Sequence, residues 1–169
     1  EVITKDAISD EGLFTVHKVE DKYFFEIPND LLNRDMLMVT RIAKTAEGLG
    51  FGGGKTNEQM LRWERFENKI LLRIISSEIT AADSLPISEA VNNSNFEPIL
   101  AAFDIEAISK DSSGVVIDAS SLLTSDIKPL GLPNRSRTQY RVTRLDDKRS
   151  YVTRVSSYPE NIELRHVKT

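Results

Sequence analysis

Four times along this chain, a run rich in β-branched and aromatic residues gives way to a short polar break and then to a second such run. The pairs are Leu13–Val19 with Tyr23–Ile27, Met60–Phe66 with Ile70–Ile75, Ile99–Ile108 with Val115–Ala119, and Tyr140–Leu145 with Arg149–Val155. Such pairs read as antiparallel hairpins. An isolated hairpin is marginal in water, so the four must pack on one another. A helical reading of 57–75 fails because Asn68 interrupts a run whose second half is Ile-rich. With 169 residues the chain can bury roughly 70% of its unfolded surface, enough for a core without staples. The predicted fold is mainly β, α+β at the margin. Its antiparallel hairpins form one twisted sheet or two packed sheets, with two short helices.

The connections refine that picture. Residues 1–11 are polar and read as a linker or frayed N-terminus, leaving 12–169 as a single mostly-β domain. Pro28 ends the second strand, and Asn29-Asp30 can cap a single turn. Met36–Ile42 is apolar on both faces, which predicts a central strand. Ser84-Leu85-Pro86 is expected to open a helix over 87–91, stopped by Asn92–Asn95; Ser120–Thr124 reads as a turn capped by its serine. Pro129, Gly131 and Pro133 mark 125–138 as loop. Ile162–Val167 alternates again up to the last residues, so the native chain is expected to continue beyond 169.

Five of the eight glycines lie within Gly48–Thr56. The ending Gly54-Lys55-Thr56 fits a Walker-type phosphate loop, but the position that needs the first glycine is Leu49. That loop must also open a helix whose N-terminal amides face the phosphate, whereas a strand-like run follows here. The stretch is therefore a turn with several left-handed glycines, or a contact loop formed by Gly50, Phe51, Gly52, Gly53, Gly54 and Lys55.

Little else points to chemistry. There is no cysteine, which excludes disulfides, thiolate catalysis and cysteine-ligated zinc. His17 and His166 lie far apart in the chain, no His-Glu-x-x-His occurs, and each reads as a packed or solvated strand residue. Asp104 and Glu106 share a strand face; a carboxylate pair there would need a cleft and perturbed pKa values, and a solvated face is the simpler reading. Asp146-Asp147 fits a turn, and calcium-loop spacing is absent. Trp63 shares a face with Leu61 and Arg65 and is expected in the core or under an arginine. No catalytic or metal-ligating residue is assigned.

Charge is uneven. Residues 131–169 carry a net +5 and residues 1–130 a net −9. Arg135, Arg137, Arg141 and Arg144 form a candidate basic contact surface. Tyr140, Tyr151 and Tyr158 lie among the arginines, as in single-strand binders, but a sheet face looks the same, so no nucleic-acid partner is expected. No apolar run approaches the roughly 18 residues of a membrane span. No signal peptide is visible and the first residue is Glu1, which reads as a piece of a longer protein.

The runs Lys22–Pro28, Arg34–Arg41, Gly52–Lys55 with Asn57–Gln59, Leu61–Arg65, Asn95–Phe103, Val116–Asp118 and Ser157–Glu163 resemble, in order, a domain of unknown function. That domain lies upstream of the catalytic domain in large bacterial zinc-dependent metalloproteases that are predicted to be exported. The resemblance implies an exported parent, periplasmic or at the cell surface. It also implies a partner in the protease domain of the same chain, and contact with polypeptide substrate. The family's zinc motif belongs to the catalytic domain and nothing here matches it, so no cofactor is expected in this chain and zinc is expected in the parent. The reading is a non-catalytic accessory domain that docks on the protease domain or shapes access to it. The alternative is an independent peptide- or glycan-binding module with an exposed aromatic patch at Phe51 or Trp63.

Overall fold

The computed structural model describes residues 2–76 and 84–169. It is mainly β, with ten strands and three short helices among the described residues. The strands are β1 (Ile8–Asp10), β2 (Thr15–Val19), β3 (Lys22–Pro28), β4 (Asp35–Arg41), β5 (Lys55–Phe66), β6 (Lys69–Ile75), β7 (Ile99–Ile108), β8 (Gly114–Asp118), β9 (Tyr151–Ser157) and β10 (Ile162–Val167). The helices are α1 (Ser88–Ser94), α2 (Ser120–Thr124) and α3 (Asn134–Tyr140). No described helix is long and apolar enough to cross a membrane.

Eight strands form one antiparallel sheet in the order β1-β2-β3-β8-β7-β6-β5-β4, and β9 and β10 form a separate pair. The sheet turns a corner at β7. Residues 99–104 of that strand pair with β6, residues 105–108 pair with β8, and the register shifts on both sides. A strand that changes partners across a bulge is how a sheet bends back on itself. The curl brings Phe14, just before β2, against Trp63 on β5, with ring centroids 6.0 Å apart. Trp63 also meets Phe103 at 5.7 Å.

The alternation of each strand explains which face turns inward. Leu61 and Trp63, Ile70 and Leu72, Phe103, Val115 and Ile117, and Phe25 and Ile27 all lie on the concave side and join one buried cluster. Leu122 and Leu123 of α2, Leu130, and the half-buried Val155, Ile162 and Leu164 of the β9–β10 pair close that side. The other side buries Phe24, Leu71 and Val116 and carries ion pairs along β4–β6. Arg62 donates to Asp35 at 2.7 Å and to Glu97 at 3.2 Å, and Arg73 pairs with Glu64 and donates to the Glu97 carbonyl at 2.9 Å. The Arg73 guanidinium also lies 5.2 Å from the Phe96 ring.

Several expectations are corrected. Met36–Ile42 does not form a central strand. β4 is the outermost strand, its residues alternate between exposed and half-buried, and Leu37 and Val39 face out. The reading failed because methionine and leucine alternate there, so composition hides the period. The polar N-terminal stretch contains the edge strand β1. The fourth hairpin is shifted: residues 134–140 are helical, and the pair is β9 with β10. Ile162–Val167 is thus a paired strand, and the 125–138 segment is part 3₁₀ turn (Lys128–Leu130) and part α3. α1 runs to Ser94 without a side-chain cap, so Ser84 does not open it and Asn92 and Asn93 do not stop it. Ser120 does not cap α2 either, because its hydroxyl accepts the Tyr23 N–H of β3 at 2.9 Å.

Candidate functional site

The glycine-rich segment connects β4 to β5 and is built by backbone geometry. Gly48, Gly50 and Gly53 have φ of 79°, 97° and 96°, the left-handed region that side chains disfavour. Gly52 is needed for close approach instead, since a Cβ there would lie 2.2 Å from the Ala43 carbonyl oxygen. The base is a short ladder: Ile42 N–H donates to Gly54 at 3.0 Å and Gly53 N–H to Ile42 at 2.6 Å. β5 begins directly at Lys55, so no helix N-terminus follows the glycines, as the rejection of a phosphate loop requires.

The structure brings this loop to the basic C-terminal segment. The Tyr140 hydroxyl, at the end of α3, donates to the Leu49 carbonyl at 3.3 Å. Thr40 Oγ1 donates to the Pro129 carbonyl at 2.7 Å, and Asn57 Nδ2 donates to the Gly131 carbonyl at 2.9 Å. Two regions some eighty residues apart thus form one surface.

Its side chains divide into held and free. Arg137 is held: it forks onto Asp126, with Nη1 to Oδ2 at 2.9 Å, and donates through Nε to the Leu132 carbonyl at 3.0 Å. The Arg137 hydrogen bond pulls the Asp126 carboxyl below its usual range. Lys55 pairs with Glu58. Arg135, Arg141 and Arg144 are exposed and make no ion pair among the described residues. Arg141 ends α3 in the left-handed conformation, at φ 55°. On the loop side, Arg41 Nη1 reaches the Gly53 carbonyl at 3.4 Å. Phe51 stands at the tip, 97% exposed.

Of the predicted contact residues, Gly50, Phe51, Gly52, Gly53 and Gly54 lie in the exposed loop, Arg141 directly follows the tethering Tyr140, and Arg135 and Arg144 are exposed at the start of α3 and just beyond its end. Arg137 is a brace beneath it, and Lys55 is neutralised by its neighbour. Tyr140 and Arg41 were missed, because nothing in their local sequence shows that α3 folds back onto the loop.

Behind the brace lies a half-buried polar group. Lys168 Nζ donates to the Ser125 carbonyl at 2.7 Å, and burial lowers its pKa. Burial, with Lys168 nearby, also pulls the His166 imidazole below its ordinary value, while the Leu130 backbone opposes this. The other histidine is a strand clasp. His17 Nε2 meets Glu26 Oε2 at 3.0 Å and its Nδ1 meets Ser9 Oγ at 2.8 Å, which ties β1, β2 and β3 together.

The acid pair is engaged in the ordinary way. Asp104 pairs with Lys69, and the Lys22 ammonium donates to Asp118 at 3.0 Å beside Glu106. Trp63 is 6% exposed and packs on aromatic rings, so it forms no surface patch. Among the described residues, no three His, Cys, Asp or Glu side chains gather where they could hold a metal.

These features define a mainly antiparallel β domain with an exposed glycine-rich loop tethered to the end of α3. Residues 53–169 match the family described as a domain of unknown function (DUF5117), and residues 1–45 match a second, also described as a domain of unknown function (DUF5118). The first match spans more than half of the chain, which therefore belongs to the DUF5117 family. No curated protein and no solved structure matches the chain. The two matches meet at the glycine loop, yet they do not divide the sheet. β3 pairs with β8 and β4 with β5, so strands of the first segment flank those of the second on both sides.

Proposed function

We propose that this chain is a non-catalytic accessory domain of a zinc-dependent metalloprotease, docking on the protease domain or shaping access to it. The observation that carries the reading is Phe51, 97% exposed on a loop tethered by Tyr140, which the exposed Arg141 directly follows. Burying a phenylalanine side chain stabilises a contact by about 1.5–3 kcal/mol. Arg41, at the Gly53 carbonyl, and Arg141, beside the tether, add positive charge that selects an acidic partner. The sequence resemblance supports the choice of parent, and with it export to the periplasm or cell surface. In this reading zinc is held by the parent's catalytic domain, and polypeptide substrate is a second partner.

The test is hydrogen exchange on the full-length parent and on residues 1–169 alone. Residues 48–56 and 138–144 are expected to exchange more slowly in the parent, and Phe51→Ala with Arg141→Glu to remove the difference and lower the proteolytic rate. Equal exchange in both proteins would sink the docking reading. Exposure of Phe51 also favours a second reading, an independent peptide- or glycan-binding module. That reading requires the isolated chain to bind such a ligand through Phe51.

A further inference from the structure

β4 is one of the two edges of the large sheet, and no described strand pairs with its outer side. An edge of this kind offers a row of unpaired N–H and C=O groups. Proteins blunt such edges with lysine, proline, a mid-strand bulge or a very short strand. β4 has none of these over Asp35–Thr40: it contains no Lys or Pro, and its one register shift comes at Arg41. Leu37 and Val39 lie on its outward face, 60% and 42% exposed. Asp35 at one end is neutralised by Arg62. At the other end the strand runs into Arg41, Lys44, Glu47 and the glycine loop, with exposed Arg141 next to the Tyr140 tether. Glu58, opposite Val39, is paired with Lys55, so the outward face is apolar at Leu37 and Val39 and the far end keeps an excess of positive charge from Arg41, Lys44 and Arg141 over Glu47.

We propose that β4 is a strand-addition site for an extended polypeptide segment. The segment has alternating apolar side chains, which cover Leu37 and Val39, and acidic residues at the end that reaches Arg41 and the glycine loop. Main-chain hydrogen bonds supply affinity and the two features supply selectivity. The inference deepens the contact surface proposed above and rests on it for the charge of the partner alone.

The experiment uses the 169-residue chain and seven-residue probe peptides of alternating Val and Thr, with two Asp or two Lys at either terminus. Binding is followed by backbone amide shifts and exchange. One Asp peptide is expected to bind at least tenfold tighter than its Lys counterpart and to slow exchange at alternating amides of 35–41. N-methylation of one alternate set of peptide amides is expected to abolish this. The double variant Leu37→Lys/Val39→Lys separates strand addition from simple charge attraction. Strand addition predicts at least tenfold weaker binding of the Asp peptide, and charge attraction predicts tighter binding. Tighter or unchanged binding overturns the proposal, as does binding that leaves the amides of 35–41 unchanged or failure of every peptide to bind. Concentration-dependent self-association that protects 35–41 also overturns it, because the occupant is then a second copy. If a peptide binds at Phe51 and Arg141 with β4 unaffected, the contact surface survives and strand addition does not.

Discussion

The two edges of the large sheet are built differently. β1 has three residues, and both of its polar side chains are engaged. Ser9 bonds His17, and the Asp10 carboxylate accepts the Ser157 N–H at 3.0 Å, which draws the edge onto β9. β4 has seven residues, an apolar outer face and no such restraint on its outer side among the described residues. A short polar edge tied to a neighbouring strand cannot recruit another chain, whereas a longer apolar one can. The bare edge is also the one that leads into the glycine loop and Phe51.

Removing the shared support comes first, as the largest effect. Trp63 touches Phe14 near β1's side and Phe103 at the corner strand. Trp63→Ala is expected to cost about 3–5 kcal/mol in denaturant unfolding. Both edges should lose amide protection together; protection lost at only one edge would show that the core is not common to them. Gly12→Ala should separate them. Its Cβ would sit 2.5 Å from Ser157 Oγ and 2.6 Å from Tyr158 backbone atoms, at the seam between β1 and β9. A loss of about 1–3 kcal/mol is expected, with amides of 8–18 more affected than those of β4.

Acid should act on the opposite side. His166 titrates normally near 6.5 in the unfolded chain and lower in the folded one. Below 6.5 the unfolded state takes up the proton first, so stability falls with pH until the folded value is passed. Because His166 lies behind the Asp126–Arg137 brace, protection against exchange in 126–137, relative to the intrinsic rate at each pH, should fall between pH 7 and 5 more than protection in β1. His166→Leu should flatten that difference, and a slope retained in this variant would assign it to another group. The smallest expected effect is Leu37→Lys, within about 0.5 kcal/mol, because the side chain is 60% exposed. A larger loss would mean that the β4 edge is covered in solution.

Much of the fold was legible in the residues. The hairpins of β2–β3, β5–β6 and β7–β8 follow from β-branched and aromatic runs around polar breaks, and the concave core follows from their alternation. The rest was hidden for identifiable reasons. Tyr140–Leu145 has the composition of a strand, yet Pro133 starts a helix that carries Tyr140 back to the loop. β9 and β10 pair with each other across Tyr158–Asn161, whereas composition pairs Arg149–Val155 with Tyr140–Leu145. Of the candidate surface, the glycines and arginines could be named in advance, but the docking of the 128–140 segment on the glycine loop could not, since it rests on contacts between residues some ninety positions apart.

The sequence by itself determined that the chain is mainly β, that it lacks thiol chemistry, and that Gly48–Thr56 cannot cradle a nucleotide as a helix-opening loop. These are local properties, set by side-chain period, residue type and glycine register. Tertiary structure alone decided which strand lies at an edge, which arginine is a brace and which is free, and that two family segments share one sheet. Those outcomes depend on pairings such as β3 with β8 and on the turn at β7. A non-local pairing is favoured by the burial it completes across the whole sheet, and no short window of residues contains that information.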